Sequence, residues 1–159
     1  MLPKVYVETS VISYLTAWPS TDIRVLAKQA VTKEWWATCD ERFELFASQF
    51  VEIEAGRGDS VAAKERMDVL ATLAMLPSLS DVERLAERLV RQGAIPVVAQ
   101  DDAAHVAVAA VHGMDYLVTW NFRHINNLTK MSHIEKACQE LGYRCPQICT
   151  PEHLYGGQP

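Results

Sequence analysis

The chain lacks most of the features that would place it quickly. No stretch of its 159 residues approaches the roughly 18–20 consecutive apolar residues of a membrane helix, so no membrane partner is expected. The opening segment has one early lysine, and Glu8 interrupts its apolar run, which is unlike a secretory leader. There is no low-complexity tract and no internal repeat, and a 49% apolar content argues against disorder. The phosphate-cradling pattern GxxxxGK[ST] is missing, which speaks against nucleoside-triphosphate chemistry. Cysteine is sparse. Cys39, Cys138, Cys145 and Cys149 are too widely spaced for the close pairs of zinc ribbons, so reduced structural thiols are expected. Positive charge is also short: a net −5 argues against a large permanent nucleic-acid surface. It leaves room for a metal centre, which is itself a cluster of acids. With these features missing, one cytoplasmic domain spanning 1–159 is the expectation.

What remains is an alternation of strand and helix signals. Lys4-Val5-Tyr6-Val7 is a β-favouring run, and Thr9 and Ser10 read as caps of a helix that follows a sharp turn. Between Asp22 and Thr38 the apolar residues Ile23, Leu26, Ala27, Ala30, Val31 and Trp35 recur at helical spacing. Phe43–Ala47 reads as a strand, with Ser48 capping a short helix to Ala55 and Ser60 capping another to about Thr72. Leu73–Leu79 is extended, and Ser80-Asp81 starts a helix that ends near Gly93. Asp101-Asp102 opens an Ala-rich helix stopped by Gly113. Tyr116–Thr119 is a strand, Ile134–Leu141 a helix, and Gln147–Thr150 a final edge strand. Such alternation predicts an α/β fold with a mostly parallel sheet covered on both faces.

In that class, sites form outside the carboxyl ends of the strands. The rule selects Glu8 after the first strand, Glu54 in the helix after the second, Asp102 at the head of the Ala-rich helix, and Asn121 after the Tyr116 strand. Oxygen donors from four segments suit a hard cation such as Mg²⁺ or Mn²⁺. Glu52 competes with Glu54, and Asp101 with Asp102; Asp115 belongs to a turn. His105 lies one turn after Asp102 and reads either as a general base or RNA contact, or as a helix histidine hydrogen-bonded near the site. Arg123 and His124 are cations that phosphate would attract.

Four segments together resemble the PIN-domain family. Val5-Tyr6-Val7-Glu8-Thr9-Ser10 is similar to its opening strand and acidic turn. Ser48-x-x-Val51-x-x-Glu54-x-x-x-Gly58-Asp59 is similar to its second acidic motif, a register that favours Glu54 over Glu52. Asp102-x-x-His105-Val106-Ala107 resembles the helix carrying the third acid, and Leu117-Val118-Thr119-Trp120-Asn121-x-Arg123-His124-Ile125 the fourth segment. The resemblance implies a three-layer α/β/α sandwich and Mg²⁺- or Mn²⁺-dependent cleavage of RNA by Glu8, Glu54, Asp102 and Asn121. Thr9, Ser10 and Arg123 would contact the substrate. Kinship with VapC-like toxins further implies an antitoxin partner and a homodimer. Glu8 stands where Asp is usual, and Asn121 where many members carry Asp. The alternative is a PIN-fold RNA-binding or protein-interaction module with a weakened or inactive metal site.

Overall fold

The structure, a computed structural model, describes residues 1–156. Five parallel strands form its centre: β1 (Lys4–Val7), β2 (Glu44–Ser48), β3 (Ala74–Leu76), β4 (Tyr116–Val118) and β5 (Gln147–Cys149), in the order β3-β2-β1-β4-β5. The helices are α1 (Thr9–Thr16), α2 (Ile23–Trp36), α3 (Gln49–Ala55), α4 (Ser60–Leu70), α5 (Ser80–Arg91), α6 (Gln100–Val111), α7 (Met131–Glu140) and α8 (Pro151–Tyr155). β1 is central, with Tyr6 paired to Phe46 on one side and Leu117 on the other. Val5, Tyr6 and Val7 are accordingly all buried, as a parallel strand covered on both faces requires.

From β1 the chain steps one way, through α1 and α2 to β2 and through α3 and α4 to β3. It then recrosses the sheet through α5 and α6 to β4, and continues through α7 to β5. Right-handed crossovers put these two sets of helices on opposite faces. The packing agrees, since α1 lies against α2 and α4 while α5 lies against α6 and α7. The result is the expected α/β/α sandwich, with every strand parallel. α6 buries Ala103, Ala107, Ala109 and Ala110, whose small side chains allow a close approach, and it stops at Gly113, whose φ of +68° favours glycine.

Some local expectations change. Glu8, not Thr9 or Ser10, caps α1, because its carboxylate reaches forward to accept the Ser10 N–H at 3.1 Å. Asp59 rather than Ser60 caps α4, accepting from Val61 and Ala62. α2 forms as its spacing predicts, but it buries only part of its apolar set, chiefly Trp35, together with two polar residues. Ile23, Leu26, Ala27 and Ala30 are exposed, while Gln29, Thr32 and Trp35 are buried. Satisfied hydrogen bonds outweigh apolar count here: Gln29 bonds Trp18 O and the Ser20 N–H, and Thr32 receives the Trp120 indole. Of the tryptophans in this region, Trp35 is buried, Trp36 half-buried, and Trp18 90% exposed. The five-residue α8 was too short to show a period; a Thr150–His153 capping box starts it, and it packs on α2. All four cysteines are free thiols. Among the described residues, no helix is long and apolar enough to cross a membrane.

Candidate metal centre

The chain leaves β1 toward β2 on one side, and β4 lies on the other, so the strand order reverses direction between β1 and β4. In open parallel sheets the crevice outside the carboxyl ends at this point is where ligands bind. Glu8 follows β1 there, and Thr119, Trp120 and Asn121 follow β4. α3 starts from the end of β2 and brings Glu54; α6 brings Asp102 and His105.

Each acid is held by its own donors. Glu8 is 4% exposed, and its Oε1 accepts from Thr119 Oγ1 at 2.6 Å and from Ser10 Oγ, while Oε2 accepts from Ser10 N. Ser10 Oγ also receives the Trp120 N–H at 2.8 Å, and Thr119 Oγ1 receives that of Asn121 at 2.9 Å, so these hydroxyls tie the ends of β1 and β4 together. Glu54 Oε1 accepts from Thr9 Oγ1 at 2.7 Å and from His105 Nε2. The Asp102 carboxylate accepts a hydrogen bond from the Asn121 amide, and Asn121 Oδ1 in turn receives the His124 N–H at 3.0 Å. Thr9 and Ser10 thus spend their hydroxyl protons on the carboxylates.

Burial pulls the Glu54 carboxyl upward, but the His105 hydrogen bond and charge, the Thr9 hydroxyl and Arg57 outweigh it and hold it below its ordinary value. The Asp102 carboxyl is raised: burial and the charge of Glu8 prevail over the Asn121 hydrogen bond and the nearby His105 and His124. For His105, burial lowers the pKa, yet the Glu54 hydrogen bond and the negative charges of Glu8, Glu54 and Asp102 raise it overall.

Carboxylate oxygens of Glu8 and Glu54 and a ring nitrogen of His105 lie within 4.8 Å of one another, a spacing a single cation spans. The two carboxylates of this group fit a divalent ion, since they are acceptor-only oxygens whose mutual repulsion a cation offsets. Asp102 stands beside this group, coupled electrostatically to Glu8 and His105 and bonded to Asn121. Glu52 and Asp101 are exposed, and Asp115 lies at the other end of β4, bonded to Lys4 and Arg144. Arg123 is exposed and, with His124 and Lys130, lines a shallow cavity of about 180 Å³ next to the Asn121 turn.

Several residues here escaped sequence reasoning. Tyr6 passes for an ordinary strand residue, but its hydroxyl lies 2.7 Å from His105 Nδ1 and 2.8 Å from Ser48 Oγ. Thr119 passes for a strand end, yet it holds Glu8. His105 is wholly buried with both ring nitrogens bonded, the second of its two sequence readings. A polar hydroxyl inside an otherwise apolar central strand was the available signal for Tyr6.

No protein-family model and no curated protein sequence matches the chain. Among solved structures, the fold is similar to a chain in the crystal structure of VapBC2 from Rickettsia felis bound to a DNA fragment from their promoter. That match has a TM-score of 0.52 and 14% identity, and it covers 79% of this chain and 95% of the other. At this identity the likeness concerns the fold, which is PIN-like.

Proposed function

We propose that the chain is a metal-dependent ribonuclease that hydrolyses RNA phosphodiester bonds, acting as the toxin of a toxin–antitoxin pair. The observation that carries this reading is the convergence of Glu8, Glu54 and His105 at the point where the sheet reverses order, with Asp102 beside them. Glu8, Glu54 and Asp102 would hold Mg²⁺ or Mn²⁺, with Asn121 orienting Asp102. When bound, such a cation acidifies a water and offsets charge on phosphate. The protein's own groups do the rest. Ser10 and Thr119 fix Glu8, and Thr9 and His105 fix Glu54, so the acids are in place before substrate arrives. Arg123 is the exposed cation for the RNA backbone, and Thr9 and Ser10 lie at the start of α1, where substrate phosphate would approach.

The toxin reading draws on the fold likeness to a chain of a VapBC2 structure and on the exposed stripe of Ile23, Leu26, Ala27 and Ala30 along α2. A contiguous apolar stripe of this kind is suited to a protein partner, an antitoxin or a second copy. We assign the chain to the cytoplasm as one domain.

The test is cleavage of a labelled single-stranded RNA with Mn²⁺, with Mg²⁺ and with chelator, beside Asp102→Ala. Cleavage that needs metal and disappears in the variant is the expected result. No cleavage under any condition would sink the nuclease reading. The alternative, a PIN-fold RNA-binding or protein-interaction module, is favoured by one observation: both ends of the Asn121 amide are spent within the protein, where a further carboxylate would have offered oxygen to a cation.

A further inference from the structure

We infer that His105 is a positioning residue for Glu54, acting on the metal centre as a hydrogen-bond donor and not as a ligand. This rests on the reading that the centre binds a divalent cation. An ionised carboxylate only accepts hydrogen bonds, so His105 Nε2, bonded to Glu54 Oε1, must carry the hydrogen. A protonated Nε2 has no lone pair to give a metal. Thr9 Oγ1 reaches the same oxygen at 2.7 Å. With both donors on Oε1, Oε2 is the oxygen kept for the cation, and Glu54 binds through one oxygen.

The imidazole is itself held from behind. Its Nδ1 lies 2.7 Å from the Tyr6 hydroxyl, which lies 2.8 Å from Ser48 Oγ. Ser48 Oγ also accepts the Phe50 N–H at 3.2 Å. Tyr6, Ser48 and His105 are buried, so no water competes for these bonds. The Phe50 ring stands edge-on to the imidazole at 6.4 Å and the Tyr6 ring is tilted against it at 5.9 Å, which leaves the ring one orientation. β1, β2 and α6 therefore brace a side chain on α3 that is 24% exposed and would otherwise sample several rotamers. Glu8 and Asp102 are held in the same manner by Ser10 and Thr119, and by Asn121. His105 completes the set.

Calorimetric titration of the full chain with Mn²⁺ tests this, comparing the parent with His105→Leu, His105→Gln and Tyr6→Phe. Circular dichroism confirms that each variant is folded. His105→Leu should weaken Mn²⁺ by about 10–100-fold, as loss of a partner behind a metal ligand typically does. Glutamine can present an N–H near the Nε2 position, so His105→Gln should recover most of the affinity, and Tyr6→Phe should fall between. Pulsed electron paramagnetic resonance of the Mn²⁺-loaded parent should lack the ¹⁴N coupling of a directly bound imidazole. A folded His105→Leu within about twofold of the parent would overturn the positioning role. So would a ¹⁴N coupling that His105→Gln abolishes, because His105 would then be a ligand. If the parent binds no Mn²⁺ at all, the metal reading fails first and this inference with it.

Discussion

Thr119→Val probes whether the ends of β1 and β4 are tied through Glu8. Valine keeps the shape of threonine and removes the hydroxyl, which is fully buried, donates to Glu8 Oε1 at 2.6 Å, accepts the Asn121 N–H at 2.9 Å and lies a longer 3.4 Å from Ser10 Oγ. A hydrogen bond to a charged group contributes about 1.5–3 kcal/mol. The abandoned Asn121 N–H is half-buried, so water recovers part of its loss and it adds about 1 kcal/mol or less. The sum is about 2–4 kcal/mol. With a urea slope of about 2 kcal/mol/M, the unfolding midpoint should drop by about 1–2 M. The assay is equilibrium urea unfolding at neutral pH without metal, followed by far-UV circular dichroism. Thr119→Ser should recover most of the loss. Lys64→Ala, which breaks only a solvent-exposed i,i+4 pair, should leave the midpoint unmoved. A Thr119→Val shift below about 0.3 M would refute the reasoning and show that Ser10 alone secures Glu8.

Three further outcomes can be checked. Mn²⁺ at about a hundred times its dissociation constant should stabilise the native state by about 2.7 kcal/mol, some 5–10 °C in thermal unfolding, and Asp102→Asn should lose most of that gain. Asp115 accepts the Lys4 N–H at 2.9 Å and an Arg144 N–H at 3.0 Å, in that order of effect, and its carboxyl is held below its ordinary 3.8. A depressed carboxyl adds stability above its unfolded value and loses it as pH falls through the folded one. The deficit of Asp115→Asn should therefore be constant near neutrality and vanish as pH drops below 3.8, as urea titrations at neutral and acid pH would show. Trp35 is fully buried, and its indole N–H has no partner among the described residues. Trp35→Ala should cost about 3–5 kcal/mol, but Trp35→Phe only about 1–2, because it also removes the unpaired donor; denaturant midpoints would decide.

The layering was legible because strands buried on both faces are apolar throughout and helices alternate with them. Lys4–Val7 and Tyr116–Val118 show it plainly. The phase of α3 also makes sense of its acids: Val51 and Ala55 are buried, Glu54 lies with them, and Glu52 and Ile53 face water. α2 forms where its spacing places it, but the face it buries was not legible. Its inward face is secured by hydrogen bonds from Gln29 and Thr32, which a hydrophobic pattern does not register. The braces behind the acids were illegible on different grounds. Tyr6 meets His105 across 99 positions and Thr119 meets Glu8 across 111, so no local spacing connects them; only the strand order does. Glu8 as its own helix cap was hidden because Thr9 and Ser10 are better cap formers by type.

Both outer strands of the sheet, β3 and β5, are three residues long. A strand that short offers another chain few free amides and carbonyls to pair with, so the sheet resists lengthening by addition at either side. Intermolecular recognition is thereby pushed onto side chains of the helical layers, where it can be altered by surface substitution without moving a backbone hydrogen bond of the sheet. The same brevity protects the folded chain from edge-templated aggregation, and places what risk there is in partly unfolded states that free β1 or β2.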